Sequence, residues 1–132
     1  GITLNLRPKY YPCQTIEIAA GAIIAAQRAG LDARTFSFAV QRALWSEERD
    51  IADQETLREL ARATIGEAGA KLIAKRLPTE IRLMWEGNLA EAQRIGIFGT
   101  PTYVYRGELF WGQDRLAFLE RAVAKTRGGK HD

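Results

Sequence analysis

The 132 residues predict an α/β domain with a helical insertion, on three observations. The opening residues alternate apolar and polar. From Thr15 to Gly96 apolar residues recur at helical spacing, with several breaks. From Thr102 to Trp111 the pattern changes to β-formers flanking Arg106-Gly107. An apolar fraction of 46% supports a packed core, and the length fits one domain with no room for two. Intrinsic disorder is thereby excluded.

Ile2, Leu4 and Leu6 alternate with Thr3 and Asn5, which predicts a short strand over Ile2 to Leu6. Arg7-Pro8 ends it, because proline has no N–H for a ladder and restrains the residue before it. Thr15 is the expected N-cap of a first helix with Ile16, Ala20, Ile23, Ile24 and Gln27 on its face, closed by Gly30. Thr35 opens a second helix bearing Phe36, Val40, Ala43 and Leu44. Asp53 caps a third, with Leu57, Leu60 and Ala61 facing inward, up to Gly66. A shorter helix is expected over Glu67 to Arg76. Leu77-Pro78-Thr79 is a break and a fresh cap for Ile81, Met84, Trp85, Leu89, Ala92 and Ile95, ending at Gly96. Thr102 to Tyr105 and Glu108 to Trp111 then form a hairpin, with Gly107 supplying the positive φ of a tight turn. Gly112-Gln113-Asp114 leads into a last helix with Leu116, Leu119, Ala122 and Val123. Frayed ends are expected from Gly128-Gly129 onward. One strand and one hairpin make a thin sheet for so many helices, since isolated hairpins are marginal.

Nineteen Lys and Arg against sixteen Asp and Glu leave +3, interspersed rather than in a stripe, so no nucleic-acid partner is expected. The longest apolar stretch, Ile18 to Ala26, is far below the roughly 20 residues of a membrane span. One cysteine, Cys13, excludes an internal disulfide or a CxxC pair within these residues. A single thiol suits a reducing, cytoplasmic setting. The one histidine, His131, offers no zinc site and no nucleophile–base couple.

Two motifs carry the candidate chemistry. In Gly99-Thr100-Pro101-Thr102 the X–Pro bond can be cis, which would turn the Thr100 backbone outward to pair with an extended peptide-like ligand. A trans proline starting an edge strand is the alternative. In Trp111-Gly112-Gln113-Asp114-Arg115, helix N–H groups favour a ligand carboxylate and Asp114 suits a ligand ammonium. An α-amino-acid end needs both; a plain helix cap is the alternative. Cys13 reads as a small buried residue rather than a reactive thiol, because no basic partner is specified. Lys9, Tyr10 and Tyr11 are candidates for a substrate pocket, or simply surface residues. Trp45, Trp85 and Trp111 read as packing. Gly21 and Ala25 permit close approach of another helix, within the chain or across a dimer.

The run from Arg94 to Tyr103, with its FGTP, and the run from Gly107 to Leu116, with its FWGQDR, resemble the C-terminal signature of 2-hydroxychromene-2-carboxylate isomerases. These are relatives of kappa-class glutathione transferases in the DsbA-like thioredoxin superfamily. Arg7-Pro8-Lys9-Tyr10-Tyr11-Pro12 resembles the end of that family's second strand. Trp45 with Arg49-Asp50-Ile51-Ala52-Asp53 resembles its helical insertion, and Asn88 with Glu91-Ala92 the helix before the proline loop. The resemblance covers nearly the whole chain. The FGTP and FWGQDR pairing is its specific part.

That resemblance implies a thioredoxin-like, DsbA-like sheet with an all-helical insertion, lacking the family's N-terminal βα unit. It organises residues 1–132 as one incomplete domain: strand and loop over 1–12, helical insertion over 13–78, and long helix, cis-proline loop, hairpin and last helix over 79–132. It implies glutathione as cofactor, with the Thr100 backbone and Pro101 on its cysteinyl part and Gln113 and Asp114 on its γ-glutamyl end. Lys9, Tyr11 and Trp111 are the expected substrate-pocket residues. The expected activity is cis–trans isomerisation of a conjugated acid of aromatic degradation. No catalytic residue is assigned here; the activating Ser is expected upstream, and the fragment alone is expected to be inactive. The missing strand is expected either upstream in a longer protein or from a second chain that completes this one, and a homodimer is a further expected partner. The alternatives are a DsbA-like dithiol oxidoreductase and a non-catalytic glutathione-binding module.

Overall fold

The computed structural model describes residue 1 and residues 3–128. Helix α1 spans Glu17–Arg28, α2 Ala33–Trp45, α3 Gln54–Ala70 and α4 Thr79–Arg94. Strands β1 (Thr102–Tyr105) and β2 (Glu108–Trp111) follow, then one 3₁₀ turn over Gln113–Arg115 and helix α5 (Leu116–Gly128). The chain divides into two compact units, Gly1–Gly87 and Asn88–Asp132.

The first unit is built around α1, α2 and α3, with Phe36 and Leu57 fully buried among Ala22, Val40, Ala43, Leu60 and Ala61. Its helix starts follow carboxylate chemistry. Asp32 accepts from the Thr35 backbone N–H at 3.0 Å, so Asp32 is the cap of α2 and Thr35 its partner, correcting the expectation that Thr35 opens the helix. Asp53 caps α3 as expected, accepting from the Thr56 N–H at 2.8 Å. Thr15 acts one residue too early to be the N-cap of α1: its Oγ1 accepts from the Glu17 N–H, while Ile16 holds the cap position without a side-chain bond. Gly66, at φ 77° and ψ −173°, breaks α3 where a helix end was expected. Beyond it the helix runs only to Ala70, shorter than the expected span to Arg76.

Two further expectations are corrected. The buried face of α1 carries Ala19, Gly21, Ala22, Ile24 and Ala26, so of the expected face only Ile24 is buried, and Ile16 is exposed. Residues 18–26 are apolar almost all round, so periodicity could not choose a side; the small residues face inward because they let helices approach closely. Gly21 shows this directly: a Cβ there would stand 2.6 Å from Leu77 Cγ. Leu77, Ile24 and Ile81, with Ala25 and Trp85 against them, make a small second cluster, so Gly21 and Ala25 serve internal packing.

The strand expected over Ile2 to Leu6 does not form at Thr3, Leu4, Asn5 or Leu6; Ile2 lies outside the described residues. Alternation prepares a strand but cannot supply its ladder partner. Instead the Asn5 N–H bonds to the Trp45 carbonyl at 2.7 Å, Ser46 Oγ donates to the Thr3 carbonyl, and Leu6 stands 97% exposed.

In the second unit the hairpin is the one expected. β1 and β2 pair antiparallel with Thr102 opposite Trp111 and Tyr105 opposite Glu108. Both turn residues, Arg106 (φ 51°) and Gly107 (φ 81°), are left-handed, which matches the twist of the flanking strands. Helix α5 packs on this hairpin. Among the described residues of this unit, Phe110 is the one buried apolar side chain, at 6% exposure. His131 and Gly129 lie outside the described residues.

Candidate functional site

The site is assembled in the second unit from the end of α4 to the start of α5. Gly96 leaves the helix at φ 86°, and the chain runs through Ile97, Phe98 and Gly99 to a cis Thr100–Pro101 peptide. Thr102 Oγ1 donates to the Gly99 carbonyl at 2.5 Å, closing this loop on itself. At the far end of the hairpin, Gly112 turns the chain at φ 94°, and its N–H donates to the Pro101 carbonyl at 2.9 Å. That one bond joins the two motifs. It holds Gly112-Gln113-Asp114 beside the proline loop.

Glycine is required on the loop for a steric reason. A Cβ on Gly99 would lie 2.6 Å from Trp111 Nε1, so the indole rests where a side chain would otherwise be. Phe98 also packs against this indole, ring centroids 5.1 Å apart and tilted by 47°. Both aromatic rings stay open to solvent, Phe98 at 78% exposure. Paired aromatic rings left exposed beside a backbone loop provide an apolar wall. The FGTP run was singled out for its proline; the contribution of Phe98 and Gly99 was missed. The signal available was a glycine spaced to meet a tryptophan across a hairpin.

Gln113, Asp114 and Thr100 are all exposed. Asp114 does not act as a plain cap. Among the described residues no backbone N–H donates to its carboxylate, the 3₁₀ turn starts at Gly112 without a side-chain bond, and the side chain is 83% exposed. Its nearest cation is the neighbouring Arg115, at 4.0 Å. A carboxylate left this open beside the proline loop keeps its capacity to accept from a ligand ammonium.

Lys9 and Tyr11 lie in the first unit. The Lys9 backbone N–H donates to Glu48 at 2.6 Å, and its ammonium stands 5.1 Å from the centre of the Tyr10 ring. Tyr11 lies against Trp45, centroids 4.9 Å apart. Trp111 belongs to the proline-loop cluster described above. Cys13 packs against the helical core; burial and then the Asp50 carboxylate push its thiol above the ordinary range. A raised pKa leaves less thiolate, so Cys13 has the character of a structural residue. Among the described residues no cluster of His, Cys, Asp and Glu could hold a metal ion, and no helix is long and apolar enough to cross a membrane.

Comparison with curated proteins and with solved structures finds no match. Comparison with family models finds a DSBA-like thioredoxin domain over residues 1–124. That family is associated with thiol chemistry, as disulfide oxidoreductases or glutathione-linked enzymes. A cis-proline loop leading into a hairpin and a closing helix, preceded by a helical insertion, is what the matched span contains. With 124 of its 132 residues inside the match, this chain belongs to the DSBA-like thioredoxin domain family.

Proposed function

We propose that the chain binds glutathione and serves glutathione-dependent cis–trans isomerisation of a conjugated acid, of the 2-hydroxychromene-2-carboxylate type. The observation that carries this reading is the Gly112 N–H bond to the Pro101 carbonyl, which sets the proline loop and a carboxylate 83% exposed to solvent side by side. A tripeptide with an amino-acid end needs both: backbone groups for its extended middle and a carboxylate for its ammonium. In this reading the Thr100 backbone and Pro101 hold the cysteinyl part, and Gln113 and Asp114 hold the γ-glutamyl end. When bound, glutathione supplies a thiolate for reversible addition to a conjugated double bond, freeing rotation about it. The Phe98–Trp111 wall offers an apolar surface for a flat substrate beside that loop. The group that activates the thiol is proposed to be a Ser outside these 132 residues.

Calorimetric titration with glutathione tests this. Binding is expected, and Asp114→Asn should weaken it by about 1 kcal/mol, roughly fivefold. Unchanged affinity in Asp114→Asn, or no binding by the unaltered chain, sinks the glutathione reading. The family assignment favours a second reading, a DsbA-like dithiol oxidoreductase. Its CxxC would also lie outside these residues, which contain one cysteine. Disulfide exchange without glutathione affinity, in a protein that joins such a CxxC to this chain, would select it.

A further inference from the structure

A pocket in the hairpin unit, separate from the proline loop, lies between the turn end of the hairpin and α5. It encloses about 520 Å³ and is lined by Tyr105, Arg106, Glu108, Phe118, Arg121 and Lys125, with Phe110 and Ala122 also contributing to its walls. Its charges differ from those of most arginines on the helices that precede it, Arg34 of α2 being an exception. Arg28, Arg58, Arg62, Arg82 and Arg94 each stand within ion-pair distance of a glutamate. Among the described residues, Arg106, Arg121 and Lys125 have no such partner, although three cations share the pocket with one carboxylate.

The cations are also oriented by the pocket's aromatic rings. Arg121 lies over the Phe118 ring at 4.5 Å and donates its Nε–H to the Ala117 carbonyl, which leaves its two terminal nitrogens uncommitted. Arg106 lies over the Tyr105 ring at 5.7 Å. A guanidinium over a ring keeps its in-plane donors for a bidentate oxyanion; carboxylate and phosphate both suit that fork, and three cations beside one carboxylate favour the more highly charged phosphate. Phe118, 47% exposed, adds apolar surface for the body of such a ligand.

We propose that this groove binds a small aromatic phosphate: the phosphate on Arg121, Arg106 and Lys125, the ring beside Phe118, which stays 47% exposed although Arg121 and Arg115 both lie over it. The inference does not rest on the glutathione reading.

The test uses the full chain and 1-naphthyl phosphate as probe, by titration calorimetry and by amide chemical shifts. Saturable binding is expected, with shifts at Gly107, Phe110 and Lys125. Arg121→Gln should weaken it by about tenfold and Arg106→Gln by about threefold. Higher salt should also weaken it, because the site is open to solvent. Naphthol should bind more weakly than the phosphate. Asp114→Asn should leave the naphthyl phosphate affinity unchanged, and Arg121→Gln should leave glutathione affinity unchanged, so that failure of either site is read separately. Absence of saturable binding, or binding that Arg121→Gln and Arg106→Gln do not weaken while the variants stay folded by circular dichroism, overturns the proposal. So does equal binding of naphthol, which would make the groove merely greasy.

Discussion

The two units spend their apolar side chains in opposite ways. The helical unit buries them: Phe36, Leu57 and Ala61 are sealed, and small residues on α1 let the helices close. The hairpin unit leaves most of them open: Phe98, Trp111, Val104, Leu109 and Phe118 are exposed, and Phe110 alone is buried among the described residues. Burial of apolar area is the main source of folding free energy, so the first unit carries a source of stability that the second has in small measure. The backbone motifs that recur in ligand binding are concentrated in the second unit. Exposed apolar groups beside specific backbone donors are what a binding surface needs and what a core excludes.

The sharpest way to break this comparison is to delete methyl groups in each unit. Leu57→Ala removes a fully buried side chain and should cost about 2–5 kcal/mol, read as a lowered midpoint in denaturant unfolding. Leu109→Ala, at a site 38% exposed on the hairpin, should cost less than about 1 kcal/mol in the same assay. Equal losses would mean that the hairpin's apolar face is covered in the folded protein, and the contrast between the units would fall.

A smaller effect sharpens the account of the helical unit. Gly21→Ala gains helix propensity of about 1 kcal/mol but places a Cβ within 2.6–2.9 Å of three Leu77 side-chain atoms. Leu77 is itself buried in a cluster with Ile24 and Ile81, so it has little room to move. Overpacking of this kind costs about 1–3 kcal/mol, so the net change should be a loss of about 1 kcal/mol. Gly21→Ala combined with Leu77→Ala should recover part of it relative to Leu77→Ala alone, measured as a double-mutant cycle. Additive losses would show that Leu77 does not occupy the space above Gly21.

How much of this was legible depended on whether a feature is local. The hairpin was readable to the residue, because Arg106-Gly107 between β-formers determines its own register. Asp53 was equally plain as a cap three residues before Thr56. The inward face of α1 was not readable, since a segment apolar on every side acquires a direction only from its neighbours. The strand at the N-terminus failed for the same reason: alternation is local, but its partner is not. At the site, Pro101, Gln113 and Asp114 could be picked out by residue type, whereas the bond that joins them, from Gly112 to Pro101, runs between residues eleven apart that no periodicity links. Phe98 and Gly99 acquire their roles only from the tryptophan folded against them.

The gentlest test of the comparison uses acid. The Asp32 and Asp53 carboxyls are held below the ordinary carboxylate range by hydrogen bonds from Thr35 and Thr56 that favour the charged form. A carboxylate whose folded pKa is depressed contributes stability above its unfolded pKa and loses it as pH falls through the folded value. Both caps belong to the helical unit, so acid from about pH 4 downward should loosen the starts of α2 and α3. The hairpin unit carries Glu91, held low by its bond from Arg94, on an exposed last turn of α4 where such a pair is worth little. Its closing helix is entered from Gly112 with no capping side chain to protonate. Following the Thr35 and Thr56 amide shifts against pH should therefore give midpoints below that of a free aspartate, while amides of Tyr103 and Phe110 stay flat. Asp53→Asn separates charge from capping, because asparagine caps nearly as well but does not titrate. That variant should keep its stability at neutral pH and lose the α3 share of the acid response. An acid response undiminished in Asp53→Asn would place the titration elsewhere and remove the caps from the difference between the two units.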